Sequence, residues 1–170
     1  MNAFPNPTEP IFRMTQTLLQ EGCKAARESP RHRIIQPIHR KQEASVQRML
    51  NFLQPNTFVR AHVHPRPGQI ELVQVIQGRI GFLIFEEDGT LRSTHDLSSG
   101  PTGLIDIEPG TWHSLVCLAP NSVILETKQG PYDASSDKTF ASWSALEENP
   151  ESAREEVERY RTLFSTTQAH

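Results

Sequence analysis

His62 and His64 stand one residue apart in the run Thr57-Phe-Val-Arg-Ala-His-Val-His64, and Glu71 and His113 follow. In extended backbone, side chains at i and i+2 project from the same face. Two imidazoles side by side, with a carboxylate and a third imidazole in reach, form a nitrogen and oxygen donor set. Such a set suits one divalent ion of the Zn, Fe, Mn or Ni type. The expected ligands are therefore His62, His64, Glu71 and His113. Gln69, on the same strand face as Glu71, is the substitute if the register shifts.

The elements that must carry these residues are mostly strands. The spacing predicts a strand over residues 57–64, with Phe58, Arg60, His62 and His64 on one face and Thr57, Val59, Ala61 and Val63 on the other. Pro65-Arg-Pro-Gly68 breaks it. Gln69 to Ile76 resumes a β-rich run, and a hairpin return would bring Glu71 opposite the histidines. Arg79 to Phe85 follows, closed by the turn Glu87-Asp-Gly89. Apolar runs at 103–108, 114–117 and 123–128 complete the series. Val46 to Leu53 fits either period and is read as a strand leading into the Gln54-Pro-Asn-Thr57 turn. Met14 to Glu28 is expected to be a helix stopped by Ser29-Pro30. A second helix is expected from Pro150, with Ala153, Val157, Tyr160 and Phe164 on one stripe. Residues 1–10, with three prolines, read as a loose arm, and residues 31–44 as a polar connection.

The order of these motifs resembles that of a cupin. His62-x-His64, six residues, Glu71, six residues and Gly78 follow the first cupin motif, with a longer gap before the glutamate. Gly103-x5-Pro109-Gly110-x2-His113 follows the second, with Pro-Gly for Pro-x-Gly and Cys117 for the closing Asn. A narrower resemblance spans roughly residues 15–148. Ser29-Pro-Arg-His-Arg33, His39, Val46-Gln-Arg48, Thr57-Phe-Val-Arg60, Pro109-Gly-Thr-Trp-His113, Gly130-Pro-Tyr-Asp133, Asp137-Lys138, Phe140-Ala141 and Trp143 are similar to blocks of the WbuC-family cupin-fold metalloproteins. The resemblance implies a mostly β chain: a cupin-type antiparallel β-barrel, or jelly roll, with an N-terminal helical arm and a C-terminal helix. It implies one domain over 1–170, divided into an arm at 1–44, a barrel core at 45–130 and an extension at 131–170. It also implies a bacterial metalloprotein, a setting in sugar or surface-polysaccharide metabolism, and a homodimer formed through exposed sheet edges.

Beyond the ligands, Arg60 shares the expected face of His62. It is read either as a fork for a carboxylate or phosphate or as a partner of Glu71 or Glu126. Tyr132 and Lys138 are candidates to cap the barrel mouth or to pack outside it. Arg60, Tyr132 and Lys138 are thus the candidate catalytic residues. Gln47 and Arg48 must face opposite ways. His39 is read as a solvated loop residue, Cys117 as a small buried hydrophobe, and Trp112 and Trp143 as packing.

Composition narrows the classes. The 170 residues suit one substantial core. A net charge of -3 offers no field for nucleic acid. No apolar run is long enough for a membrane span, and the first residues do not read as a secretory signal. The two cysteines, Cys23 and Cys117, make no disulfide framework. A cytoplasmic protein with a small anionic ligand is expected. Three activities fit the residues: a metal-dependent enzyme of isomerase or epimerase type, an Fe(II)-dependent oxygenase, and a binding or sensing module without turnover.

Overall fold

A computed structural model describes residues 3–165 of the chain. Residues 166–170, the end of the expected C-terminal extension, lie outside the described residues, as do residues 1–2. The elements in chain order are α1 (Gln16–Glu28), β1 (Arg33–Pro37), β2 (Val46–Leu53), β3 (His62–Val63), β4 (Glu71–Gln77), β5 (Arg79–Phe85), β6 (Leu91–Ser98), β7 (Leu104–Ile107), β8 (Trp112–Cys117), β9 (Ser122–Gln129), β10 (Thr139–Phe140) and α2 (Pro150–Thr162).

The strands form two antiparallel five-stranded sheets, ordered β1-β2-β9-β4-β7 and β10-β3-β8-β5-β6. Counted in chain order from β2, the central strands run first-eighth-third-sixth in one sheet and second-seventh-fourth-fifth in the other. That order is two interlocked Greek keys, the jelly roll expected from the resemblance to cupins. β1 and β10 add one strand each beside β2 and β3. Strands therefore also come from the stretch read as a polar connection and from the extension after residue 130. β1 forms because Ile34 and Gln36 alternate with Arg33 and Ile35, which lets it pair with β2 from Arg33↔Leu53 to Pro37↔Met49. The N-terminal arm is not loose either: the Phe4 N–H donates to Ile35 O at 2.8 Å, and Asn6 Nδ2 donates to His39 O at 2.8 Å.

Each sheet is covered on its outer face by one helix, which explains why a strand beneath it such as β5 reads as a nearly continuous apolar run while the uncovered β6 is polar. Thr15 caps α1 by accepting from the Leu18 N–H. The buried Gly22, Cys23 and Ala26 of α1 lie on Ile34, Leu50, Phe52 and Val123 of the first sheet. α2 lays Ala153, Val157 and Tyr160, with Phe164 just beyond it, over Leu83, Phe85 and Val116 of the second and over Phe58 from the segment before β3. Buried Glu156 fastens this helix, accepting from Ser144 Oγ, Tyr160 Oη and the Ala145 N–H. No helix among the described residues is long and apolar enough to cross a membrane.

Between the sheets, one end of the barrel is filled by Leu53, Val73, Val75, Ile80, Phe82, Leu97, Cys117 and Ile124. The other end is lined by polar side chains and opens as a cavity of about 420 Å³. The apolar end supplies the folding free energy, at roughly 25 cal/mol per Å² of apolar surface removed from water. The polar end is left free to hold a site.

The close approach of α1 to its sheet is directly testable. A Cβ on Gly22 would run into the Phe52 ring. Gly22→Val is expected to cost roughly 1–3 kcal/mol by overpacking, seen as a lower urea midpoint. An unchanged midpoint would mean that α1 can lift from Phe52 without loss.

Candidate metal centre

The donor set is assembled from both sheets. β3 and β8 pair so that His62 lies opposite His113. Their ring centroids are 4.4 Å apart, and His64, just past β3, stands 5.2 Å from His62 and 5.6 Å from His113. Glu71 comes across from the other sheet, so the expected hairpin between the histidines and the glutamate is a crossover. Its direction is set by the pairing of β4 with its neighbours, Glu71↔Lys128 and Glu71↔Ile107. The long gap after His64 therefore does not displace it. The extra residues are absorbed in a turn closed by the Gln69 N–H donating to Arg66 O at 3.1 Å. One nitrogen or oxygen from each of His62, His64, Glu71 and His113 lies within 4.8 Å of the others, and all four side chains are buried.

The second motif locks onto the first through its turn. Gly110 follows Pro109 with φ of 81°, a conformation that glycine adopts without strain. Its N–H donates to His64 O at 3.0 Å. The missing residue of the Pro-x-Gly pattern is thus no loss.

Each imidazole is oriented through its Nδ1. His62 Nδ1 lies 2.9 Å from Arg60 O, His113 Nδ1 2.8 Å from Thr111 O, and His64 Nδ1 2.6 Å from Asp137 O. A carbonyl can only accept, so each Nδ1 carries a proton, and in the neutral ring each Nε2 presents a lone pair. The three Nε2 atoms converge on the Glu71 carboxylate. His64 Nε2 is 2.9 Å and His113 Nε2 3.3 Å from Oε2, and His113 Nε2 is buried without a hydrogen-bond partner. Lone pairs facing a carboxylate oxygen in a buried site need a cation between them. These residues fit a divalent ion on that observation.

Electrostatics agree. Burial, then the neighbouring His113 and Lys138, hold His62 well below the usual imidazole value, so it stays neutral. Burial works to raise Glu71, but the His113 and His64 imidazoles outweigh it and hold the carboxyl well below its usual range. For His64, burial pushes down while the Glu71 hydrogen bond and charge push up, with a net rise, so a proton on Nε2 is the cation that competes with a metal ion for this place. Phe82 stacks on His113 at 5.6 Å and backs the site with the apolar core.

The other expected residues separate. Gln69 contributes no ligand atom. Its amide donates to Asp137 O at 2.9 Å and holds the C-terminal extension against the barrel. Tyr132 and Lys138 both line the cavity, so the extension caps the mouth rather than packing outside. His39 is not a solvated loop residue: it is 2% exposed, with Nδ1 against the Arg48 backbone, and it lines the cavity. Gln47 is the inward member of its pair, and Cys117 is buried in the core.

Arg60 is corrected on both readings. It does not line the cavity, and it pairs with neither Glu71 nor Glu126. Its Nη2 donates to Ala141 O at 2.8 Å and its guanidinium lies 5.1 Å from the Phe140 centroid. The cause is that residues 57–61 are not in a strand; only His62–Val63 is. Without a ladder there is no two-residue alternation to carry Arg60 to the face of His62. Phe58 and Ala61 accordingly pack together under α2, while Val59 lines the cavity.

The cavity's real charged wall lay elsewhere in the sequence. Glu126 and Lys128, two apart on β9, both face inward. Glu126 accepts from Asn51 Nδ2 at 2.9 Å, and Lys128 pairs with Asp137 at 2.9 Å and Glu126 at 3.8 Å. Two opposite charges at i and i+2 of a strand were the available signal. Burial, then Glu71, raise the Glu126 carboxyl. Burial opposes the Lys128 charge, but Glu126 and Asp137 more than offset it, so its pKa rises. Arg33, from β1, reaches Glu147 at 3.1 Å and the Phe58 carbonyl. Burial and the charge of Arg31 push it down to about 10, so it keeps its proton at neutral pH.

The family described as a domain of unknown function (DUF6016) matches residues 14–97, a stretch that holds His62, His64 and Glu71 and ends before His113. No curated protein matches the chain. Similar solved structures include the Lactobacillus farciminis oxalate decarboxylase formate complex, 16% identical over 56% of this chain and 26% of that chain, with a TM-score of 0.45. They include the Bacillus subtilis oxalate decarboxylase at pH 4.6, 20% identical over 58% of this chain and 24% of that chain, with a TM-score of 0.47. Peruvianin-I, a cysteine peptidase from Thevetia peruviana latex, is 19% identical over 56% of this chain and 55% of that chain, with a TM-score of 0.45. The chain spans about a quarter of the length of the decarboxylases. The fold rests on the strand order, and these likenesses carry no chemistry to this chain.

The corrected place of Arg60 has a measurable consequence. Arg60→Met is expected to lower stability by roughly 1 kcal/mol through the lost Ala141 hydrogen bond, read in urea unfolding. Metal content should not change. A loss of bound metal in this variant would return Arg60 to the site.

Proposed function

We propose that this chain is a metal-binding cupin of the WbuC kind, which holds one divalent ion on His62, His64, Glu71 and His113. It binds a small anionic metabolite in the adjoining cavity, in sugar or surface-polysaccharide metabolism. The observation that carries the reading is the common tethering of the imidazoles: all three Nδ1 atoms are committed to backbone carbonyls, and all three Nε2 lone pairs turn to one buried carboxylate. The setting in polysaccharide metabolism draws on the sequence blocks shared with that family.

A divalent ion held there would supply Lewis acidity toward a carbonyl or hydroxyl oxygen. The chain's own residues supply the rest. The apolar layer of Phe82 and Ile124 closes the cavity from below and excludes water. Asn51 fixes one oxygen of Glu126. With its pKa raised by burial and by Glu71, Glu126 can hold or release a proton nearer neutral pH than an ordinary carboxyl. A proton-exchanging group beside a Lewis-acid site favours an enzyme over a passive binder. The volume of about 420 Å³ suits a small metabolite and not a polymer.

Elemental analysis of protein purified without added metal tests the reading. One divalent ion per chain is expected. Replacing His62 and His64 together by Ala should remove it and leave cooperative unfolding intact, because the core lies at the other end of the barrel. Glu71→Gln should weaken the metal at least on the order of ten- to a hundredfold, the loss typical of a mere supporting partner. Stoichiometric metal in the double variant would sink the assignment.

A further inference from the structure

The charges around the cavity are paired unevenly. Lys128 is matched by Asp137 and Glu126, and Arg33 by Glu147. Lys138 lines the same cavity, yet among the described residues its ammonium has no ion-pair or hydrogen-bond partner. It rests over the Phe140 ring, 5.8 Å from the centroid. A partly enclosed ammonium without a counter-charge is costly, and burial together with the charge of Lys128 pushes it below the usual lysine value. The centroid of the Phe140 ring lies 6.3 Å from that of His62, which places Lys138 near the donor set. A second group is similarly unused: His39 Nε2, buried at the mouth, has no partner. The protein thus keeps an unmatched cation and an unsatisfied ring nitrogen around a space beside the donor set.

Building on the metal reading above, we propose that Lys138 anchors a second acidic group of the ligand, so that the ligand is a small hydroxy acid carrying two negative charges. An ion of charge two, offset by Glu71, leaves one positive charge on the imidazole wall; Glu126 and Asp137 are both engaged by Lys128, so Lys138, with no carboxylate in ion-pair reach among the described residues, presents a second. A hydroxy carboxylate at the first and a second anionic group at the second would balance both. A ligand with one acidic group would leave Lys138 unmatched. The ammonium, a compact point charge on a flexible stem, does not demand the fixed fork geometry of a guanidinium.

Malate and lactate share the hydroxy-acid end and differ in a second carboxylate, so they isolate the role of Lys138. Calorimetric titration of the metal-loaded chain should give malate roughly tenfold tighter binding than lactate, or more. Lys138→Met should bring malate down to the affinity of lactate, with lactate affinity and metal content unchanged, while Lys138→Arg should retain the preference. Equal affinities in the unmodified chain overturn the proposal. So does a malate preference that survives in Lys138→Met, or failure of both acids to bind while the metal is present. An absence of metal in the unmodified chain overturns the metal reading instead. In that case a malate preference that Lys138→Met abolishes still upholds the anchor.

Discussion

The hydrogen bonds from three imidazole Nδ1 atoms to backbone carbonyls are the constraint on which the site depends. Two of them, His62 to Arg60 and His113 to Thr111, are local, each reaching back two residues. The third is not: His64 is held by Asp137, from the segment after the last long strand. The extension is therefore part of the site. Asp137 spends its carbonyl on His64 and Gln69 and its carboxylate on Lys128 and Gln69, which ties both sheets to one buried residue. Removing such a residue would free a ring and strand a buried ammonium at once.

That arrangement also accounts for the division of the barrel. Burying Glu71, Glu126, Lys128 and Asp137 costs several kcal/mol per charge before pairing. The cost is tolerable because each charge meets an opposite charge, an imidazole or an amide, and because the other end is a dry apolar layer under two helices. Helices on both outer faces free the sheets' inner faces from carrying the whole core. One inner end can then be given over to polar groups without loss of cooperativity.

Among the candidate residues, Arg60 and Lys138 exchange the roles that the sequence suggests for them. The guanidinium expected inside turns out to clamp β10 through Ala141, and the ammonium that could have packed outside faces the cavity. Both contact the Phe140 ring, from the Arg60 and Lys138 side chains respectively. The ring thus meets both a structural cation and an unmatched one.

Local sequence determined the donor types, the extents of both helices, the stripe of α2 and the apolar strands β4, β5, β7, β8 and β9. These follow from hydrophobic period, turn chemistry and residue type, which act over a few neighbours; the exposed β6 carried no apolar run to read, and the jelly-roll class came from the motif order that resembles a cupin's. Tertiary structure decided which side chains meet. The short ladder at β3 broke the alternation that would have aimed Arg60 inward. The pairing of β4 with β9, not the length of the preceding loop, pointed Glu71 at the histidines. Strand β1, read as a polar connection, became an edge because β2 offered unpaired backbone groups, and it brought Arg33 into the cavity. His39 and Asp137 gained their places from partners 9 and 73 residues away. Direction in a strand is a local property only while the ladder is regular; where it fails, the partner across the gap decides.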